Sequence, residues 1–282
     1  MYWYERLVVA VLVVAGSFVL EGFRRKMIAR MQTRRGPPLL QPVYDMLKLL
    51  EKKSNVEVSA LARVLPVLAL ICALAIALLL PYSFLRFDYD FVLLGYLFAL
   101  LCSLQIGCAL ASRSPLAFQA AAREMALMLG YLGCFFLVIL LFLAKGNVVS
   151  MKDYALDLAV IQMPIASFIL LWSGRALLRI APYDAVNADV EISSGLFSEF
   201  SGKEFAFLEA AEFIKNFAFY WIASFLMFGK YMLFGLALLL VINAVVQATS
   251  ARYSTKHALR NLLLFSLIAF VDFVVLKFLG IG

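Results

Sequence analysis

The chain has 282 residues, 65% of them hydrophobic and 15% charged, with 25 Lys and Arg against 18 Asp and Glu and a formal net charge of +7. A soluble domain averages ~45–50% apolar residues and could not hide this much apolar surface, so the composition excludes a soluble fold and points to an integral membrane protein. The basic excess is not a nucleic-acid footprint, because the Lys and Arg residues gather in the connections between apolar runs, as they do in cytoplasmic loops.

The four cysteines, Cys72, Cys102, Cys108 and Cys134, all lie inside apolar runs and form no Cys-x-x-Cys pair. That excludes a disulfide framework and an iron–sulfur site of the usual spacing. The single histidine, His257, stands in a basic connection with no cysteine or carboxylate cluster, so no metal site is expected in this chain.

In chain order, Leu7–Leu20 is apolar. Glu5 and the lone base Arg6 precede it and no small-x-small cleavage site follows, so Trp3–Glu21 is predicted as a first membrane span rather than a leader. Tyr2, Trp3 and Tyr4 form its interfacial aromatic anchor. The next stretch, Glu21–Lys53, is long and polar and carries nine Lys and Arg residues. Gly36-Pro37-Pro38 breaks any helix there. After Gln41-Pro42, apolar Val43, Met46, Leu47 and Leu50 fall at i, i+3, i+4 and i+7, with Asp45, Lys48 and Lys52 opposite. This segment is too short to span, so it predicts an amphipathic helix at the membrane surface, serving either lipid or a peripheral partner.

Further spans of the ~20 residues a bilayer needs are predicted at about 62–81, 91–111, 125–144, 158–178, 205–228, 231–248 and 259–279. The fold class is therefore all-α: one polytopic bundle, residues 1–282, with eight transmembrane helices. No internal repeat supports an inverted-repeat transporter. Connections after odd-numbered spans hold Arg24 to Arg63, then Arg113 and Arg123, Arg179 and Lys203, and Arg252, Lys256 and Arg260. The other side holds Arg6, Arg86, Lys145, Lys152, Lys230 and Lys277. The roughly threefold bias places the basic loops in the cytoplasm and both termini outside, in a multi-pass protein of the cytoplasmic membrane.

Ionisable residues in the spans are costly and are candidates for an ion path. They are Glu21 at the inner end of the first span, Glu124 at the start of the fourth, Glu209, Glu212 and Lys215 in the sixth, and Asp272 in the eighth. Glu212 and Lys215 are three apart and share a face. Gln105, Gln162 and Asn243 add neutral polar groups. The connection Ile180–Glu204 holds Asp184, Asp189, Glu191, Glu199 and Glu204 with Lys203 as its base, so an acidic loop faces the basic one.

Two of these loops carry a pattern. Arg34-Arg35-Gly36-Pro37-Pro38-Leu39-Leu40-Gln41-Pro42, then Tyr44-Asp45 and Lys48-Leu49, resembles the cytoplasmic loop of a complex I family: the membrane subunit, of the NADH dehydrogenase subunit 1 type, that joins the peripheral redox arm to the ion-pumping arm. Pro182-Tyr183-Asp184, Glu191, and Glu199-Phe200-Ser201-Gly202 resemble the same family's acidic loop. Glu212, Lys215 and Ala251-Arg252-Tyr253 follow in the family's order. The resemblance implies eight spans and a docking platform made by loops 22–61 and 179–204. The compact run from Gly36 to Pro42 is similar to the membrane-bound nickel–iron hydrogenases of the energy-converting and formate-hydrogenlyase types. That branch implies a hydrogenase large subunit, iron–sulfur small subunits and an antiporter-like membrane subunit as partners. Its nickel–iron centre and clusters would sit in those partners, with no cofactor in this chain. Three departures stand out: Tyr131 is followed by Leu132 and Leu177 stands before the acidic loop, where the family carries acidic residues, and Val186-Asn187-Ala188 stands where the family's loop reads Pro-Glu-Ala. The chain thus reads as a coupling subunit, with a non-pumping anchor and a quinone-site subunit as alternatives.

Overall fold

The computed structural model describes residues 3–54, 60–81, 85, 87–146, 148, 150–151, 153–154, 156–187 and 195–278. The side chains of residues 3–7, hence the aromatic anchor, and Glu191 lie outside the described residues. Ten α-helices form and no strand appears among them. They are α1 (Trp3–Met31), α2 (Gln41–Glu51), α3 (Ala60–Leu79), α4 (Asp90–Ala111), α5 (Pro115–Gly146), α6 (Ala159–Gln162), α7 (Pro164–Leu177), α8 (Gly202–Phe228), α9 (Met232–Thr249) and α10 (Thr255–Phe278). Among the described residues, five segments are long and apolar enough to cross a membrane: Ala60–Leu79, Asp90–Ala111, Pro115–Gly146, Gly202–Thr249 and Thr255–Phe278. The fourth bends through the 3-10 turn Gly229–Tyr231 into α8 and α9.

Three elements depart from expectation. α1 does not stop near Glu21 but runs 29 residues to Met31, so most of the basic stretch is helical. Its end is marked by Thr33, which turns with φ +57° ahead of the Gly-Pro-Pro run. α5 begins ten residues before the predicted span, because Ser114 and Pro115 make a favourable first turn, with proline lacking only an N–H that would have gone unused. Glu124 is thereby carried inside a 32-residue helix rather than at its edge. The predicted fifth span is broken at Pro164 into the one-turn α6 and the 14-residue α7.

α8 is the axis of the bundle. Almost all of its turns are buried, and α1, α2, α3, α6, α7 and α9 pack on it. Such a helix is apolar on all sides, as a buried helix must be, so its charges have to find partners within the protein. α5 carries the other half of the core and holds α4, α7 and α10. Gly130 lets α10 close on α5: a Cβ there would stand 2.8 Å from Leu262 Cβ.

Both loops of interest close on the same end of the bundle. Gly22 lies against the Leu39 carbonyl, and a Cβ on Gly36 would stand 2.9 Å from Lys26 Cα, so the Gly-Pro-Pro run folds back along α1. Gly202 opens α8 at φ +64°, with room for no side chain beside the Lys52 carbonyl. The basic loop therefore ends against the start of the helix that follows the acidic loop. The last loop joins them: Tyr253 N–H donates to the Pro182 carbonyl at 2.8 Å, and Arg252 pairs with Asp184 at 3.1 Å. At the opposite end, Tyr154 donates to the Leu226 carbonyl at 2.6 Å, and Lys230 binds Asp157 at 2.7 Å. That hydrogen bond, ahead of any other influence, holds the exposed Asp157 carboxyl below its ordinary pKa.

Candidate functional site

The intramembrane candidates converge on two linked charge clusters. The inner one joins α4, α5, α8 and the turn after α7. Arg179 Nε donates to Glu124 Oε1 at 3.1 Å, and its Nη1 lies 3.4 Å from Glu212 Oε2. Its Nη2 donates to Gln105 Oε1 at 2.9 Å, and Gln105 Nε2 donates onward to Glu212 Oε2 at 2.9 Å. Lys215 Nζ approaches the same Glu212 oxygen to 2.9 Å, off the angle of a good hydrogen bond. Tyr131 donates its hydroxyl to Glu124 Oε1 at 2.9 Å.

Glu124, Gln105 and Lys215 are wholly buried and Arg179 nearly so. Two carboxylates thus face two cations, and the group is neutral as a whole. Isolated charges in a medium of low dielectric would be prohibitive, whereas a balanced, hydrogen-bonded set is tolerable. Glu124 Oε2 has no hydrogen-bond partner among the described residues, so one buried carboxylate oxygen keeps its lone pairs free.

Arg179 reaches this position through its backbone. It adopts φ +51°, in the left-handed region that costs an L-residue roughly 1–2 kcal/mol. The turn directs the guanidinium back into the bundle, where its planar fork meets two carboxylates and an amide at once, as an ammonium could not. It also lies over the Phe197 ring at 5.9 Å. The positions that lack an acid are filled differently: Leu177 is buried beside this turn and Leu132 packs against the core.

The outer cluster sits where α1, α2 and α8 meet. Arg24 clamps Glu21 with two bonds of 2.8 and 2.6 Å and donates to Gln247 at 2.7 Å. Arg25 binds three carboxylates from three elements: Glu21 at 2.8 Å, Asp45 at 3.3 Å and Glu209 at 3.4 Å. Gln41 orients Asp45 by a 2.8 Å bond. Between the clusters lies a cavity of about 560 Å³, lined by Glu21, Arg24, Arg25, Arg179, Asp184, Glu209, Glu212, Asn216 and Gln247, with Phe197, Phe200, Phe205 and Phe213 among the walls.

Of the ion-path candidates, Glu21, Glu124, Glu209, Glu212 and Lys215 are therefore brought together, directly or across the cavity. Asp272 is not; it stands on α10, which packs on α5 and α7. The loop candidates divide. Gln41, Asp45 and Asp184 are used inside the chain, and Gly36, Pro37, Ser201 and Gly202 shape the loops. Arg34, Arg35, Lys48 and Glu199 are exposed. Arg24, Arg25, Arg179 and Tyr131 are not singled out as site residues by the sequence, although each completes a cluster. Among the described residues no three His, Cys, Asp or Glu lie so that they could hold a metal ion. The four cysteines are buried and free.

The fold has a close counterpart in a chain of the membrane-bound sulfane sulfur reductase, described as an archaeal respiratory membrane complex. The TM-score is 0.87 at 22% sequence identity, over 95% of this chain and 98% of that one. In sequence, the chain is 27% identical over 267 residues to the NADH-quinone oxidoreductase H subunit of Helicobacter acinonychis (strain Sheeba), covering 83% of this chain and 81% of the relative. It is 28% identical over 236 residues to the second NADH-quinone oxidoreductase H subunit of Syntrophobacter fumaroxidans (strain DSM 10017 / MPOB), covering 74% and 70%. The family model described as NADH dehydrogenase matches residues 5–277, nearly the whole chain, so the protein belongs to the NADH dehydrogenase family, alongside these NADH-quinone oxidoreductase H subunits.

Proposed function

We propose that this chain is the membrane subunit of a complex I-like respiratory assembly, holding a peripheral redox arm on its cytoplasmic loops and coupling electron transfer to ion movement. The observation that carries the reading is the charge-balanced cluster of buried Glu124, Arg179 and Lys215 with partly exposed Glu212, beside a polar cavity roofed by both loops. Counting α1 and the α6–α7 pair as spans gives eight, with both termini outside and loops 22–61 and 179–204 as the platform. The exposed Arg34, Arg35, Lys48 and Glu199 are its contacts to the arm.

The chemistry follows from charge balance. While Arg179 and Lys215 hold Glu212, the charges of the cluster balance. A shift of the 178–180 turn, driven through the loops by the docked arm, would loosen the guanidinium. Glu212, at the cavity wall, is then the carboxylate placed to take up a proton and restore neutrality. When the arginine returns, that proton is expelled. In membrane vesicles, Glu212→Gln is expected to abolish the pH or sodium gradient while dye-linked oxidoreductase activity in the same vesicles is retained. Retention of a full gradient would remove Glu212 from the path, and no gradient in the wild type would leave the chain an anchor.

Two identities fit the arm. The compact Gly36-to-Pro42 run favours a nickel–iron hydrogenase with iron–sulfur small subunits and an antiporter-like membrane subunit. The phenylalanine-walled cavity at the inner end of α1 favours a quinone-type headgroup instead. Mild-detergent purification with metal analysis separates them: nickel and iron at stoichiometric levels support the first, and nickel-free activity blocked by quinone-site inhibitors supports the second.

A further inference from the structure

Asp272 has no role in the clusters above, and its surroundings point elsewhere. Among the described residues it makes no hydrogen bond or ion pair. It lies 17 residues beyond Thr255 on α10, about 26 Å along the axis, so it sits within the hydrocarbon, in the half away from the loops. It is partly exposed, and its i−4 and i+3 neighbours Ile268 and Val275 are each 45% exposed. Only Ala258, Leu262 and Ala269 of α10 are buried, so the helix turns most of its surface away from this chain.

The break at Pro164 explains why this flank is bare. α7 and α10 run in opposite directions and meet where Phe168 and Phe265 pack ring to ring at 6.1 Å. α7 begins only one turn further out, at Pro164, and so ends short of the level of Asp272. Beyond it α6 turns aside to pack on α8. Asp272 is seven residues beyond Phe265, on the same face of α10, and so stands at the level of the notch left by a helix that does not reach it. Lys277 is five residues on, which places it on another face of α10.

The geometry points to an interface: we propose that the notch beside Asp272 receives a transmembrane helix of a neighbouring membrane subunit, and that this helix presents a Lys or Arg to Asp272. Charge complementarity selects the occupant. A bare carboxylate in hydrocarbon is disfavoured and pairs with an opposite charge wherever one is available, and an apolar helix or an acyl chain would leave it unpaired. The proposal rests on the multisubunit reading given above.

The test uses the intact complex. A photo-crosslinker at Ile268, which leaves Asp272 in place, is expected to capture a membrane subunit within one turn of a Lys or Arg. Asp272→Lys is expected to lower recovery of that subunit at least tenfold, and exchanging the partner's cation for Asp is expected to restore it. Adducts with lipid alone, capture of a helix with no cation at that level, or normal stoichiometry in Asp272→Lys would overturn the interface. If the redox subunits co-purify while these results fail, only the interface falls; if the chain purifies without any other subunit, the multisubunit reading falls first.

Discussion

Replacing Arg179 with Met is expected to destabilise the protein by about 3–5 kcal/mol, the usual cost of removing one partner from a buried ion pair. The methionine fills much of the same space, so the loss is electrostatic and not a cavity effect. Glu124 is wholly buried, and with Arg179 gone its remaining hydrogen bond comes from Tyr131. Glu212 keeps Lys215 and Gln105 and suffers less. A lower unfolding temperature and poor recovery from membranes are the readout. The decisive measurement is the double variant Arg179→Met with Glu124→Gln. It removes the orphaned charge, and stability should recover by more than half, because residues in contact do not contribute additively. If the double variant is no more stable than Arg179→Met alone, the pairing is not what holds this turn. Arg179→Lys should fall between, since an ammonium cannot reach both carboxylates and Gln105 together.

Gly202→Val is expected to release the redox arm proposed to dock on the two loops. At φ +64° a β-branched residue is strained before any contact is made, and its Cβ would stand 2.8 Å from the Lys52 carbonyl and 3.0 Å from Ser54 N. The end of the basic loop must then move off α8, drawing Asp45 away from Arg25. The membrane part should still fold, because the core of α8 starts at Ala206. Co-purification of the peripheral subunits should drop at least tenfold, with Gly202→Ala less affected. Lys203→Ala, at the next and exposed position, serves as the control and should leave it unchanged. Normal recovery with Gly202→Val would mean that the two loops dock independently.

The sequence made the bundle legible because membrane spans announce themselves by length and composition. α3, α4, α8, α9 and α10 fall within a few residues of their predicted bounds. The amphipathic stretch is helical over Gln41–Glu51. Pro164 is the legible signal for the break in the fifth segment, outweighed by the apolar run around it. The site is half legible. Carboxylates within apolar runs stand out, whereas their counter-ions come from residues that count as loop charge. Arg179 reads as an interfacial base until a left-handed turn folds it inward, and Arg24 and Arg25 read as a basic patch until α1 continues through them as a helix. Which of several nearby arginines faces inward is set by helix phase and by one backbone angle, neither of which composition reports.

The spacing of charges on α8 has an electrical consequence. Glu209, Glu212 and Lys215 follow at three-residue intervals, partly exposed at the first two and wholly buried at the last. With 1.5 Å per residue, the six residues from Glu209 to Lys215 span about 9 Å, close to a third of a ~30 Å hydrocarbon layer. A charge displaced over that ladder would cross up to about a third of the transmembrane voltage, doing work of roughly 0.8 kcal/mol per 100 mV. For the ion path proposed above, the membrane voltage of a respiring cell would oppose or assist any step along α8.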